Sequence, residues 1–304
     1  MSHESGLDRR RFLALSAAAA PLLPAAIAVA EEEKGEQDWE ICTFTKPLQH
    51  LSYDETSEVI ADIGFQGVES AVRPGGHVEP GKVEEDLPAM MDSLRKHELN
   101  LTVMTTAITE VGDEQHTETV LRTAAALGVR RFRMGYYRYD LKQPIAPQLA
   151  EFGARMDDLV ALCREIGIKP VYQNHSGDRY CGGPVWDMLR LMEKQDPALV
   201  GFAFDIGHAT VEGFKAWPLN FAAARPFIDT VYVKEPYWKD NQLSWGPVGG
   251  GGIDRKFYRT LVESGFDGPI SLHIEYLGHK DPKIVPEVIK AMRSNLATLR
   301  ELLS

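Results

Sequence analysis

The sequence predicts an α/β protein built as a single (β/α)8 TIM barrel, and three observations lead there. Short β-prone apolar segments alternate with amphipathic segments from residue 39 to the end of the chain. Eight such pairs fill about 270 residues, the size this barrel needs. Glycines close several helical patterns just before the next strand, at Gly64, Gly128, Gly167 and Gly265, where a left-handed helix cap belongs. An open doubly wound sheet is the competing architecture, but no glycine-rich phosphate fingerprint follows the first strand,.

Taken in order, strands are expected at 39–45, 66–71, 100–106, 131–136, 169–174, 200–206, 229–234 and 269–275. Helices are expected near 53–63, 83–98, 116–127, 147–166, 183–194, 217–226, 254–264 and 282–302. The 147–166 segment is the clearest, because Leu149, Phe152, Met156, Leu159, Val160 and Cys163 share one helical face,. No second domain or low-complexity tract interrupts the pattern. Cys42, Cys163 and Cys181 are too few and too far apart for a disulfide framework or a zinc pattern,.

The N-terminus reads as an address. Asp8-Arg9-Arg10-Arg11-Phe12-Leu13 resembles the twin-arginine export motif, an Ala/Leu-rich run follows, and Ala28-Val29-Ala30 offers a signal-peptidase site,. Residues 1–30 are therefore expected to be a signal peptide and 31–38 an acidic linker, with the barrel at 39–304 in the periplasm. The alanine-rich run contains two prolines and barely spans a bilayer, so no stable membrane insertion is expected after its removal,. The formal net charge of the chain is -11, which argues against a protein that tracks nucleic-acid phosphates.

Polar residues gather where strands end. Strand two ends on Glu69 and runs into Arg73 and His77, and strand four carries Arg131 and Arg133. Strand five ends Gln173-Asn174-His175, strand six supplies Asp205 with His208 three residues on, strand seven carries Lys234, and strand eight His273 and Glu275. Alternation along a strand sends successive side chains to opposite faces. Phe202, Phe204 and Ile206 then face the helices and Asp205 faces inward. Leu272 and Ile274 likewise put His273 and Glu275 inside, while Val231 and Val233 do the same for Tyr232 and Lys234. Buried charges on this scale must be paired or bind something. Each has a plainer alternative: Glu69 as an ion-pair partner of Arg73, His273 as a structural histidine, Lys46 as a loop charge, and Gly249 to Gly252 as a flexible loop. The convergence of Asp205, His208, His175, His273 and Glu275 on one end of one barrel points to a functional pocket. Its imidazole and carboxylate groups suit manganese, zinc, cobalt or iron.

These motifs resemble the sugar phosphate isomerase/epimerase family, the xylose-isomerase-like barrels, over nearly the whole segment from residue 39. The resemblance rests on Gly64-x-x-Gly67-Val68-Glu69, Asn174-His175, Asp205-x-Gly207-His208, Val233-Lys234-Glu235 and Gly265-Phe266-x-Gly268-Pro269. It implies a divalent metal held by Glu, Asp, His and Glu at the ends of strands five to eight, assisting proton movement between neighbouring sugar carbons. Of those positions Asp205 is kept, while the others fall on Gln173, Tyr232 and His273, with Glu275 two residues further. The expectation is an exported enzyme acting beside a sugar carbonyl as an isomerase, an epimerase or a keto-glycoside lyase. Glu275, His175 and Lys234 are the expected catalytic residues, and Asp205, His273, Glu275 and Gln173 the expected metal ligands. Glu69, Arg73, His77, Arg133, His208 and Trp245 are expected on the substrate side. The substrate expected is a free sugar, a ketosugar or a glycoside; the alternative is a non-catalytic carbohydrate-binding barrel. The related phosphodiester-cleaving barrels of DNA repair need a basic face that this acidic chain does not offer.

Overall fold

Eight parallel strands close into a barrel in the computed structural model, which describes residues 39–304. They are β1 (Ile41–Phe44), β2 (Gly67–Ala71), β3 (Asn100–Thr105), β4 (Arg131–Arg133), β5 (Lys169–Gln173), β6 (Gly201–Asp205), β7 (Ile228–Val233) and, after a two-stranded hairpin of β8 (Glu235–Lys239) and β9 (Gln242–Gly246), β10 (Ile270–Leu272). Each barrel strand pairs with its neighbour in sequence, and the ring closes where Ile41 and Thr43 register with Ile270 and Leu272. Around the outside run α1 (Tyr53–Ile63), α2 (Val83–Lys96), α3 (Thr117–Ala126), α4 (Ile145–Ile166), α5 (Trp186–Met192), α6 (Ile206–Gly213), α7 (Trp217–Ala224), α8 (Lys256–Glu263) and α9 (Val285–Leu303). The expected barrel is the observed one. The expected signal peptide and linker lie outside the described residues. Among the described residues no helix is long and apolar enough to cross a membrane.

The strand parity is as the alternation dictates. Phe204 packs outward against Phe221 and Phe257, with ring centroids 5.4 and 6.3 Å away, while Val171, Ala203 and Tyr232 form a separate cluster inside the barrel. The helices cover the outer face with periodic apolar stripes; α4 buries Phe152, Met156, Leu159, Val160 and Cys163. Gly167 caps it with φ 83°, a backbone conformation that other residues adopt at a cost,. At its N-terminus α1 carries a capping box, in which Ser52 accepts from the Glu55 amide and Glu55 reaches back to Ser52,. The three cysteines are buried and free.

Two elements depart from the expectation. Asp205 does not simply end a strand: its side chain accepts from the His208 amide and caps α6, so His208 sits in a first helical turn. The second is the β8–β9 hairpin, in a stretch expected to be loop. Asp240 and Asn241 turn it at φ 51° and 60°, left-handed values that favour Asp and Asn over most residues. Strands β4 and β10 are also shorter than expected, at three residues each. Arg131 belongs to the opposite end of the barrel, where it and Lys169 pair with Asp229 at 2.8 and 3.0 Å.

Candidate active site

The barrel's C-terminal end holds two layers of charge. The lower layer centres on Glu69 of β2, fully buried. Its carboxylate accepts from Ser271 at 2.6 Å, from His273 Nε2 at 2.8 Å and from Thr105, and Arg133 lies 3.6 Å away. Burial works against ionisation here, yet His273, Arg133 and Ser271 outweigh it and hold the carboxyl at about 2,. His273 shows the reciprocal effect: burial alone would lower its pKa, but Glu69 raises it, with help from Glu275. Arg133 also donates to Tyr136, whose hydroxyl donates to Gln173 Oε1.

The upper layer centres on Lys234, which follows β7. Its ammonium lies 3.3 Å from Asp205 Oδ2, 3.2 Å from Glu275 Oε2 and 5.1 Å above the Trp245 ring. Asp205 Oδ2 further accepts from Gln173 Nε2 at 2.7 Å, and Oδ1 from the His208 amide at 2.9 Å. Asn174 exchanges two hydrogen bonds with the Asp205 backbone, at 2.8 and 2.9 Å, tying the end of β5 to that of β6. Glu275 stands at the mouth between Lys46 and Lys234. Burial would raise its pKa, but Lys234, His273 and Lys46 drive it well below the usual carboxylate range.

Two imidazoles complete this layer. His175 and His208 pack against each other with ring centroids 3.9 Å apart and planes tilted by 38°. His208 Nδ1 shares a 2.7 Å hydrogen bond with Ser176 Oγ, and its buried Nε2 has no hydrogen-bond partner. His175 directs Nδ1 to the Ser176 carbonyl at 2.8 Å and packs beside Tyr136 and Tyr180. Burial, then Lys234, pushes His175 down to about 4, and the same two causes push His208 well below its ordinary value. Both rings are therefore neutral around pH 7.

This architecture decides the family, because a model of the xylose isomerase-like TIM barrel matches residues 57–295. The chain belongs to the xylose isomerase-like TIM barrel family. Three solved structures of similar shape carry sugar chemistry in their own names. A 3-keto-D-glucoside 4-epimerase from E. coli, in its apo form, is 16% identical with TM-score 0.64 and covers 86% of this chain and 99% of its own. A D-allulose 3-epimerase from Methylomonas sp. is 17% identical with TM-score 0.66, covering 87% and 98%. A D-psicose 3-epimerase from Clostridium cellulolyticum H10, with D-tagatose, is 12% identical with TM-score 0.66, covering 87% and 99%. At these identities the likeness is one of fold. No curated protein matches the chain significantly.

Against the sequence expectations, the barrel brings Asp205, Lys234, Glu275, His175, His208, His273, Gln173 and Trp245 to one end. Arg73 joins them at the rim, its guanidinium 5.7 Å from the Phe44 ring centroid. Glu69 and Arg133 lie below the substrate side where they were expected. Both are almost wholly buried and bonded to protein. His77 lies outside this network; its Nε2 contacts the Leu51 carbonyl at 3.2 Å and its ring packs on Tyr53. Sequence reasoning missed Tyr136, Thr105, Ser271 and Ser176, and it took Lys46 for a loop charge. Only strand parity could have flagged Ser271 and Thr105, two residues from His273 and Val103.

A divalent metal in a mixed imidazole and carboxylate site needs several lone pairs converging on one point. Asp205, His273, Glu275 and Gln173, expected to provide them, do not fit that role. Gln173 turns its amide nitrogen to Asp205, His273 points Nε2 at Glu69, and the Lys234 ammonium fills the space between Asp205 and Glu275. Among the described residues no group of three or more His, Cys, Asp or Glu could hold a metal ion. The arrangement offers instead a fixed cation held by two carboxylates beside two neutral imidazoles.

Proposed function

We propose that this protein is a carbohydrate-active enzyme that moves a proton on a carbon beside a sugar carbonyl. Its substrate class is a free ketosugar or a keto-glycoside, and its reaction is isomerisation or epimerisation. The single observation that carries this reading is the Lys234 ammonium, held between Asp205 and Glu275 at the barrel mouth. A carbonyl oxygen accepting from that ammonium would have its neighbouring C–H bond acidified, and the enediolate formed on proton loss would be stabilised by the same charge. Strands β10, β7, β6 and β5 are consecutive around the barrel, so Glu275 and the His175–His208 pair flank Lys234 from two sides. Epimerisation requires proton acceptors on either side of a planar intermediate, and this flanking arrangement supports the reading. Trp245 and Arg73 supply a wall for the sugar ring. The sugar epimerases of similar fold support the substrate class.

The same proton abstraction gives β-elimination when a glycosidic oxygen lies on the next carbon, so a keto-glycoside lyase is the nearest variant of this reading. A carbohydrate-binding barrel without turnover is favoured by the loss of the expected metal positions. Incubation with ketohexoses and 3-keto-glycosides in D2O separates the three. Epimerisation puts deuterium on the carbon beside the carbonyl of a recovered sugar, elimination releases the aglycone, and a binding protein does neither. Lys234→Met should abolish exchange; full exchange in that variant would remove Lys234 from the mechanism. The Asp8 to Leu13 motif supports export by the twin-arginine route. Replacement of Arg9, Arg10 and Arg11 by Lys should retain the protein in the cytoplasmic fraction, and unchanged export would end that reading.

A further inference from the structure

We propose that the Lys234 ammonium takes the place of a divalent cation, so that this barrel works without a metal and would acquire one if the lysine were removed. The inference rests on the functional reading above only for what the cation does to substrate; the replacement of charge is argued from the residues alone.

Three features show that the lysine is built into this position. Two carboxylates from different strand ends converge on its ammonium at 3.2 and 3.3 Å, and the Trp245 ring covers it at 5.1 Å. Gly207, at the start of α6, makes room for it: a Cβ there would sit 2.4 Å from the Lys234 carbonyl oxygen and 3.0 Å from its Cγ. The first turn of α6 is therefore packed against the lysine stem, and no larger residue fits without moving it. The surrounding polar groups are spent on one another rather than turned to a metal. Gln173 presents N–H to Asp205, where a carboxylate at the same strand end would have offered a lone pair to a metal. His273 spends Nε2 on Glu69.

Charge balance points the same way. Asp205 and Glu275 are matched by Lys234 and Lys46, and Glu69 by Arg133 and His273. A dication would arrive with no free counter-charge and at contact distance from an ammonium, where like charges repel strongly in a partly dry site. Without Lys234 the balance reverses. Asp205 and Glu275 would face one another across the vacated space, a pair of carboxylates with oxygens of the kind that manganese binds.

The test needs no substrate. The full-length protein is stripped with a chelator and titrated with MnCl2, following uptake by calorimetry and by the Mn(II) resonance spectrum, alongside Lys234→Gln and Lys234→Ala. The wild type should show no saturable uptake, and each variant should take up one ion per chain, at least about tenfold more tightly than any residual wild-type binding. Adding Asp205→Asn to either variant should remove that uptake. The melting temperature gives a second readout, falling in the variants and recovering in part with Mn(II), with no response in the wild type. Saturable uptake by the stripped wild type overturns the proposal whether or not the variants fold, and so does failure of both folded variants to bind. A negative D2O exchange experiment beside a positive metal titration would reject the enzymatic reading and leave the charge replacement standing.

Discussion

Glu69 and His175 are single residues whose environments make opposite demands on acid and base. Glu69 has four protein partners and no exposed surface. Glu69→Gln would leave the buried Arg133 guanidinium without its carboxylate and His273 Nε2 without its anionic partner, and should cost about 3–5 kcal/mol of stability in urea unfolding at neutral pH,. A loss below about 1 kcal/mol, the scale of a surface ion pair, would show that this layer is wetter than its burial implies. The pH dependence follows from the directions of the shifts. With its folded value held at about 2, Glu69 contributes stability above the unfolded carboxylate value of about 4.3, lost as pH falls towards 2. His175 is pushed down to about 4, so protons prefer the unfolded chain, and its share of stability goes as pH falls from about 6.5 to 4. His273 is shifted upward. Its contribution is complete below the unfolded imidazole value and fades as pH rises past its own folded one. His175→Gln should therefore flatten melting temperature against pH between about 6.5 and 4; a profile identical to the wild type would refute the assignment. The inward direction of these groups was legible because strand alternation fixes it. Their pairing was not, since it depends on how far each strand end rises above the ring.

Two connecting elements, α6 and the hairpin with its following loop, shape the mouth of the barrel. Asp205 serves as N-cap of α6 and as counter-ion of Lys234 at once, and two substitutions separate these roles. Asp205→Asn keeps a good capping side chain and loses the charge, while Asp205→Ala loses both and should be the less stable by about 1 kcal/mol. Equal unfolding free energies for the two would show that the cap contributes nothing. After the hairpin, Gly249 to Ile253 wraps the buried Glu235 carboxylate, which accepts from the amides of Gly249, Gly252 and Ile253 at 3.2, 2.6 and 2.9 Å. A Cβ on Gly252 would fall 1.7 Å from the Pro236 carbonyl oxygen. Gly252→Ala should thus push the loop off Glu235, at a cost of about 1–3 kcal/mol, and loosen the hairpin that carries Trp245. Tryptophan fluorescence and sugar affinity should change together; a normal melt and spectrum would mean that the loop has an alternative path. The sequence suggested a flexible glycine loop because glycine runs report freedom, and only the carboxylate two strands away shows that this one is tied down. The helix after Asp205 was hidden for a related reason: Ile206-Gly207 reads as strand and turn until the cap is seen.

The molecule as a whole was the most legible level, because eight repeats of one supersecondary unit reinforce each other where any single unit is ambiguous. What the bulk numbers concealed is a local reversal of sign. A chain of formal charge -11 gathers Lys46, Arg73, Arg133 and Lys234 at one end of its barrel, three of them matched by carboxylates and Arg73 held on the face of Phe44. Such a mouth suits a reaction in which negative charge develops on a neutral sugar. A cation supplied by a side chain has a further consequence. It has no off-rate, so under the charge replacement proposed above every folded chain would be equipped and its activity would owe nothing to the metal supply of its surroundings. Its limitation is reach and strength: a single charge on a four-carbon tether pulls less hard on a carbonyl than a dication does. That weaker pull agrees with the ketosugar class proposed above, whose C–H bond is already acidified by a ketone.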